Sequence, residues 1–428
     1  MSREGNPEVQ GRTSYLGVRA TISFMQSLTA RLNANIWKYA VLLISNKRIF
    51  VAILGAYYLT VPGVTPEGIG VILLVASFSG FLFEIPSGYL SDKLGHKPTL
   101  ILSRIFMLFS TLGFILADSQ NGLIVAAVFM SLSQAFHSGT GSAFMHETLK
   151  GLGREEEYAQ VMGKVSAIGF AVPVVFMVLT PFLVGVSYKA PFLLSLVVDA
   201  SGLIVALLLT VPPVTPLHVE EIGNTNFLQV MREGWRFGFF RYALFFGLTS
   251  GVLFAVGGFR AAYQAFLEIP VIYFGIFFGI GRALASLLLL YSGRMKKTLS
   301  RGVYCGVGLA GYAVGILFLG LSSTTWVIVV VFIIINAYQW GMSQVNTGFM
   351  LDVITESKFK ATLLSVRAQV DELVAALASY GLGLAIGYFS YRTGFMLLAL
   401  GYLLLAVPVY IYILRGERSR PKVENVQV

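Results

Sequence analysis

Long apolar stretches separated by short polar gaps run along most of the chain. Each stretch has about 20 residues, which is the length that an α-helix needs to cross a bilayer. The apolar residues are continuous and do not alternate with polar ones, so the pattern favours helices over the strands of a membrane barrel. It predicts an all-α membrane protein with about twelve spans, near residues 48–64, 69–90, 99–117, 121–147, 160–185, 190–211, 236–259, 271–291, 302–322, 325–351, 362–388 and 391–414.

The longest polar interruption, at residues 211–236, divides six spans from six. It predicts two six-helix bundles joined by a cytoplasmic linker. The polar N-terminal stretch is interpreted as a cytoplasmic tail with an interfacial helix at residues 37–45, and a transit peptide is the alternative. The predicted divisions are a tail at 1–47, a first bundle at 48–211, a linker at 212–235, a second bundle at 236–414 and a C-terminal tail at 415–428.

Composition supports the membrane assignment and excludes several other classes. Hydrophobic residues make up 56% of the 428-residue chain and charged residues only 12%, whereas a soluble domain has about 25% charged residues. The net charge of +10 does not indicate a nucleic-acid partner, because the basic residues gather in the loops of one side. The single cysteine, Cys305, excludes an internal disulfide and a cysteine-built metal site. No cofactor and no metal are expected.

The basic residues also predict the orientation of the chain, because lysine and arginine favour cytoplasmic loops. The outer loops carry mainly Lys189 and Arg392, with Arg260 near a helix end. We therefore expect a protein of the inner cell membrane, surrounded by lipid, with both termini in the cytoplasm. The basic residues of the inner loops are Lys93, Lys97, Lys150, Arg154, Arg232, Arg236, Arg294, Lys296, Lys297, Arg301, Lys358, Lys360, Arg415, Arg418 and Arg420.

An internal repeat relates the two halves at a single offset, the 205 residues that separate Gln134 from Gln339. The same offset pairs Glu147 with Asp352 and spans several helices without a gap. Because the matches include polar residues, we interpret the halves as two copies of one six-helix unit. The alternative is a chance alignment of apolar helices.

Polar stripes lie along the fourth and tenth spans, at steps of three and four residues that share one side of a helix. A polar stripe inside the membrane must face protein or water. Two matching stripes favour the walls of a central substrate cavity, and helix–helix hydrogen bonding is the alternative. His137 is either a satisfied interior histidine or a proton carrier. The predicted cavity residues are Gln134, His137, Ser138 and Ser142, in the stripe that begins at Ser131, together with Asn336, Gln339, Ser343, Asn346 and Thr347.

Ionisable residues within the spans are costly, so each is expected to have a reason for its place. A carboxyl group among apolar atoms can take up a proton on one side of the membrane and release it on the other. Asp199 and Glu84 are the first candidates for proton coupling, followed by Asp371 and Glu372. For Asp371 a fixed ion pair with Arg282 is the alternative.

The short gap GYLSDKLGHKP (88–98) separates two long apolar runs. Its glycines allow close helix approach and a tight reversal. We expect Asp92 to be attracted to the positive N-terminal end of the eleventh helix, and Lys93 and Lys97 to pair with Glu147. Such contacts form a latch between the inner ends of the halves, and a plain positive-inside loop is the alternative. The predicted latch residues are Gly88, Asp92, Lys93, Gly95, Lys97, Glu147 and Arg104.

This gap resembles the loop between helices two and three of the major facilitator superfamily (MFS), with His96 where arginine is usual. The stretches FEIPSG (83–88) and AFHSGTGSAFMHETL (135–149) resemble a bacterial drug/metabolite exporter-like subgroup. That subgroup usually has a tyrosine–aspartate pair where His146 and Glu147 stand. The resemblance implies the MFS fold, with twelve helices in two pseudo-symmetric six-helix bundles.

The resemblance and the lack of a phosphate-binding loop predict a secondary transporter that works by alternating access. We expect proton-coupled export of a small lipophilic, neutral or weakly cationic compound by a monomeric protein that is not an enzyme. Uptake of a neutral metabolite is one alternative, and a non-transporting receptor or scaffold is another. The glycine- and proline-rich stretch that proton antiporters often carry in span five is reduced here to Gly169 and Pro173, which weakens the antiport interpretation.

Overall fold

The computed structural model describes residues 7–213, 227–354 and 360–418, without the side chains of residues 7–25, 92, 159, 227–228, 360–362 and 418. These parts of the chain are almost entirely helical and contain no strand. The predicted all-α membrane fold is therefore confirmed. The helices are α1 (Pro7–Ser45), α2 (Leu54–Tyr58), α3 (Pro66–Leu94), α4 (His96–Leu116), α5 (Gln120–His137), α6 (Thr140–Gly151), α7 (Tyr158–Leu183), α8 (Ala190–Leu207), α9 (Phe227–Phe237), α10 (Phe239–Phe266), α11 (Ile272–Thr298), α12 (Arg301–Leu321), α13 (Thr325–Gly341), α14 (Ser343–Leu351), α15 (Lys360–Tyr388) and α16 (Tyr391–Arg418).

Within the described ranges, 11 helical segments are long and apolar enough to cross a membrane. The fourth span consists of α5 and α6, and the tenth consists of α13 and α14. The change of direction in the fourth span lies at Ser138 and Gly139, where Gly139 has a φ of +67° that favours glycine. The breaks matter for function because they redirect the side chains that follow them.

The first span is interrupted, and its predicted start at residue 48 is wrong. Residue 42 is fully buried, and Tyr39 and Leu42 pack with Phe144 of α6 and Ala206 of α8. Residues 39–45 are therefore part of the first bundle, not an interfacial helix. The helix stops at Ser45 and resumes at Leu54, so the polar residues that suggested a boundary lie inside the bundle instead.

The repeat is visible in equivalent contacts of the two halves. The Tyr57 hydroxyl donates to the carbonyl of Phe114, and the Tyr263 hydroxyl donates to the carbonyl of Leu319 at 3.0 Å. The acceptors are equivalent at the predicted offset. An ion pair also recurs at one end of each bundle, between His96 and Glu147 at 3.2 Å and between Arg301 and Asp352 at 3.7 Å.

We expect Tyr57→Phe and Tyr263→Phe each to lower the free energy of unfolding by about 1 kcal/mol, the net value of a buried hydrogen bond. The two losses should be similar, because each substitution removes the tyrosine hydroxyl that donates to an equivalent carbonyl of its half. Denaturant unfolding in micelles measures them. Tyr388→Phe, at a tyrosine that is 76% exposed, is the matched control. A large loss in one half with none in the other would contradict the structural equivalence.

The two halves meet closely at one end of the molecule, which we call the closed end. Here α3 packs on α15, α7 on α11 and α2 on α10. Glycines permit the approach: a Cβ added to Gly70 would lie 3.0 Å from the Cα of Gly383, and one added to Gly275 would lie 2.6 Å from the carbonyl oxygen of Met177. A third glycine, Gly55, faces α10 in the same way.

The opposite end, which we call the open end, is less tightly packed. A Cβ added to Gly88 or to Gly293 would meet no atom within 4 Å. The neighbouring Tyr89 and Tyr291 are both exposed. The halves are thus in contact at the closed end and leave room at the open end, which is the predicted cytoplasmic side.

Candidate substrate cavity

A cavity of about 230 Å³ lies between the two halves. The first half contributes the interrupted first span, α5 and α7, and the second half contributes α10, α11 and α13. Its wall is partly aromatic, with Tyr58, Phe170, Phe278 and Trp340 among the lining residues. The position between the bundles, beside the closed end, is where a solute would be enclosed by both of them.

Three of the predicted cavity residues line this space: Gln134, Asn336 and Gln339. The Gln134 side chain is held by the interrupted first span, since the Nδ2 of Asn46 lies 3.4 Å from its Oε1. Asn336 is buried, and its Oδ1 has no hydrogen-bond partner among the described residues. The centres of both polar stripes therefore come together at one cavity.

The remaining residues of the stripes turn away from it. The hydroxyls of Ser142, Ser343 and Thr347 donate to backbone carbonyls three or four residues earlier in the chain, at 2.8, 2.8 and 3.1 Å. Asn346 accepts a hydrogen bond from Tyr304 at 2.6 Å. The helix breaks after residues 137 and 341 change the direction of the second part of each stripe, so the cavity holds only the parts before the breaks.

His137 and Ser138 lie outside the cavity wall, near the break in the fourth span. The His137 ring is buried, and its Nδ1 has no hydrogen-bond partner among the described residues. Ser138 donates to Oε1 of Glu84 at 2.9 Å, which joins α3 to the end of α5. Glu84 is thus held at the open-end side of the first bundle.

Sequence reasoning missed the basic lining of the cavity. Lys47 and Arg48 come from the interruption between α1 and α2, Arg260 from α10 and Arg282 from α11. Among the lining residues these four are basic and none is acidic. The signal in the sequence is the polar triplet Asn46–Lys47–Arg48 between two apolar runs, at the predicted boundary between the N-terminal tail and the first bundle.

Arg104 is not part of a surface latch, as the sequence predicted, but lies fully buried inside the first bundle. Its guanidinium donates to the side chain of Asn46, to Ser103 at 2.9 Å and to Ser45 at 3.5 Å. It therefore fastens α4 to the end of α1. Asn46 also lines the cavity and contacts Gln134. Arg104 therefore bonds to a cavity-lining residue, although it does not line the cavity itself.

Asp199 is buried on the other side of Arg104. It accepts hydrogen bonds from Thr111 at 2.6 Å and from Ser195 at 3.4 Å. A Cβ added to Gly202, one turn further along α8, would lie 3.4 Å from Cδ of Arg104. Arg104 therefore lies beside α8, which carries Asp199, and donates to Asn46 of the cavity wall, but among the described residues no ion pair within 4.0 Å joins Asp199 to Arg104.

The two carboxylates of α15 have different surroundings. Asp371 pairs with Arg367 at 2.8 Å, one helical turn away, and not with Arg282. Glu372 faces α3, since a Cβ added to Gly80 would lie 3.4 Å from its Oε2. Glu372 therefore lies in the contact between the halves, whereas Asp371 has a fixed partner within its own helix.

The predicted latch is only partly described by the structure. Glu147 pairs with His96 and not with Lys93 or Lys97, and Lys93 lies 5.9 Å from the ring of Tyr89. The side chain of Asp92 and the side chains at the start of α15 lie outside the described residues, so their pairing stays a prediction. Gly95 has a φ of +91° and forms the reversal between α3 and α4.

Residues 39–378 match the Major Facilitator Superfamily. The chain belongs to this superfamily. A stretch of 249 residues is 22% identical to the uncharacterized MFS-type transporter YxaM of Bacillus subtilis (strain 168). This match covers 55% of the chain and spans 60% of that protein's length.

Solved MFS transporters have the same fold. The nucleoside transporter NupG superposes with a TM-score of 0.71 at 13% identity, covering 90% of this chain and 99% of NupG. A bacterial homolog of the human lysosomal transporter Spinster, solved in an inward-facing and unoccupied conformation, gives a TM-score of 0.66 at 15% identity and covers 92% of this chain and 97% of the homolog. The superfamily match and the shared fold indicate a transporter.

Proposed function

We propose that this MFS protein is a proton-coupled secondary transporter that exports a small organic compound from the cytoplasm by alternating access. The observation that carries the proposal is the cavity between the bundles, which is bounded at the closed end by glycine-mediated contacts of α3 with α15 and of α7 with α11. A solute in this position changes sides when the halves separate at the closed end and meet at the open end. The exporter-like stretches FEIPSG and AFHSGTGSAFMHETL support the direction.

Proton coupling is proposed through Asp199, with Glu84 as the second carboxyl group. Burial opposes charge on a carboxyl group, and a nearby cation favours it. The proton occupancy of Asp199 therefore depends on how Arg104 is held, and Arg104 is held by Asn46 of the cavity wall. A solute that moves Asn46 would shift this balance, which links the proton to the cargo.

The residues that line the cavity change the expected charge of the transported compound. Four basic side chains and no acidic one line the cavity. Because like charges repel, this lining does not favour a weakly cationic compound.

We expect the double variant Asp199→Asn/Glu84→Gln to lose proton-driven accumulation while it keeps downhill exchange of the same compound, because only the coupling groups are removed. Proteoliposomes with a pH gradient and an internal pH dye measure both fluxes. The compound used is the one that stabilises the purified protein most in a thermal-shift screen.

The matched control is Asp118→Asn, which removes a carboxyl group from the exposed link between α4 and α5. It should behave like wild type. Unchanged proton movement in the double variant would show that Asp199 and Glu84 do not carry the proton, and no substrate-linked proton movement in wild type would leave a facilitative transporter.

A further inference from the structure

The basic side chains of the cavity have no acidic partner. Among the described residues, no carboxylate oxygen lies within the 4.0 Å ion-pair limit of Lys47, Arg48, Arg260 or Arg282. Glu372 attracts Arg48 electrostatically, but its carboxylate oxygens lie more than 4.0 Å from the guanidinium nitrogens. Arginine stays protonated in proteins, so at least three positive charges share the cavity wall.

Two of the guanidinium groups are stacked on aromatic rings. The Arg260 guanidinium carbon lies 4.5 Å from the ring centre of Phe278, and that of Arg282 lies 4.9 Å from the same ring. Arg282 also lies 3.9 Å from the ring centre of Trp340. Stacking fixes the planes of the guanidinium groups while it leaves their N–H edges available to a ligand.

Most of the hydrogen-bonding capacity of Arg260 and Arg282 is not used by the described residues. Arg260 is 6% exposed, and its guanidinium donates one long hydrogen bond, of 3.5 Å, to the Ala52 carbonyl. The buried Nε atoms of Arg260 and Arg282 have no hydrogen-bond partner among the described residues. Buried donors of this kind are normally satisfied, and unpaired buried cations are costly. An acceptor that carries negative charge would satisfy both the unpaired donors and the unpaired cations.

We propose that the cavity binds an organic anion, in which a carboxylate, sulfonate or phosphate group meets Arg260 and Arg282 and a flat apolar part lies against the aromatic wall. Such oxyanions accept parallel hydrogen bonds from the guanidinium fork. Tyr58, Phe170 and Trp340 supply apolar surface for the rest of the molecule. This inference rests on the proposed transport function, because it names the class of compound that the transporter carries.

Equilibrium dialysis of the purified protein against one family of probes tests the inference. Naphthoate, naphthalene sulfonate and naphthyl phosphate carry the anion, whereas naphthamide and naphthylmethylammonium present the same ring with a neutral or positive group. At least one anion should bind more tightly than both of the other probes. Arg282→Gln and Arg260→Gln should each weaken its binding by about 10- to 100-fold, as expected for a lost hydrogen bond between charged groups.

Two further variants separate recognition from folding. Arg282→Lys keeps the charge without the fork and should give an intermediate affinity, which a merely structural arginine would not produce. Arg241→Gln removes a guanidinium that lies 5.2 Å from the ring of Tyr412 and does not line the cavity, so binding should be unchanged. The inference is overturned if no anion binds wild type, if the amide or the ammonium probe binds as tightly, or if the arginine variants bind the anion like wild type.

The same probes distinguish this inference from the proposed function. An anion that binds but does not cross proteoliposomes would contradict transport and leave the binding site intact. Transport of the ammonium probe without anion binding would leave the transporter intact and reject the anion site.

Discussion

Replacing Arg104 with alanine is expected to lower the free energy of unfolding by about 3–5 kcal/mol and to abolish transport. The side chain is fully buried and donates to Ser45, Asn46 and Ser103. Its loss creates a cavity and leaves these acceptors without their donor, both of which are costly. Transport fails as well, because Asn46 is no longer held at the cavity wall.

Denaturant unfolding in micelles and flux in proteoliposomes measure the two effects. Arg104→Lys keeps the charge but cannot reach several acceptors at once, so it should be intermediate. Arg294→Ala, at an exposed arginine of α11, should change the free energy of unfolding by no more than about 0.5 kcal/mol. A loss below about 1 kcal/mol in Arg104→Ala would show that Arg104 does not hold the first bundle together.

The general fold follows from the sequence because a bilayer permits few structures. A spanning segment must satisfy its own backbone hydrogen bonds, so continuous apolar runs of this length become helices. The internal repeat can also be detected in the sequence, because it matches polar residues such as Gln134 and Gln339. In the structure both of these residues line the central cavity. The carbonyls of Phe114 and Leu319 are equivalent at this offset, and each accepts a hydrogen bond from a tyrosine of its own half, Tyr57 or Tyr263, although these two tyrosines differ in register by one position.

The interrupted first span could not be predicted from hydropathy. Hydropathy identifies a span by its continuous apolar residues. Because the polar triplet at residues 46–48 interrupts the first span, the part before it resembles a tail and the part after it resembles a short helix. Only the packing of Tyr39 and Leu42 in the first bundle shows that the triplet lies inside the protein. For the same reason the sequence does not predict Lys47 and Arg48 as cavity residues.

Helical periodicity also fails where a helix is not continuous. The stripe from Gln134 to Ser142 assumes an unbroken helix, but the chain reverses its local twist at Gly139, with a φ of +67°. The Ser142 hydroxyl consequently donates to the carbonyl of Gly139, and Ser142 does not share the face of Gln134. Partners across helices, such as His96 for Glu147, depend on packing that one sequence does not contain.

A disulfide across the closed end is expected to stop transport. Glu67 lies in the first turn of α3 and Gly387 near the end of α15, and a Cβ added to Gly387 would lie 2.3 Å from Cγ of Glu67. Cysteines at these positions are close enough for a disulfide, which needs Cβ atoms about 3.5–4.5 Å apart. The bond would hold the halves together at this end, so the cavity could not open there.

The pair Glu67→Cys/Gly387→Cys is made in a Cys305→Ser background, since Cys305 is the only native cysteine. The control pair Ile386→Cys/Gly394→Cys joins α15 to α16 within the second half, where a Cβ added to Gly394 would lie 2.7 Å from Ile386. It places a disulfide near the same end without joining the two halves. Single cysteine variants control for the substitutions themselves.

The flux of the stabilising compound through proteoliposomes, before and after oxidation of the Glu67→Cys/Gly387→Cys protein, tests most directly whether the halves separate at the closed end. Alternating access predicts that oxidation reduces the flux to background, that a reducing agent restores it, and that the control pair transports throughout. Full crosslinking with undiminished flux would contradict the account, because the solute would then cross without any opening of the contact between α3 and α15.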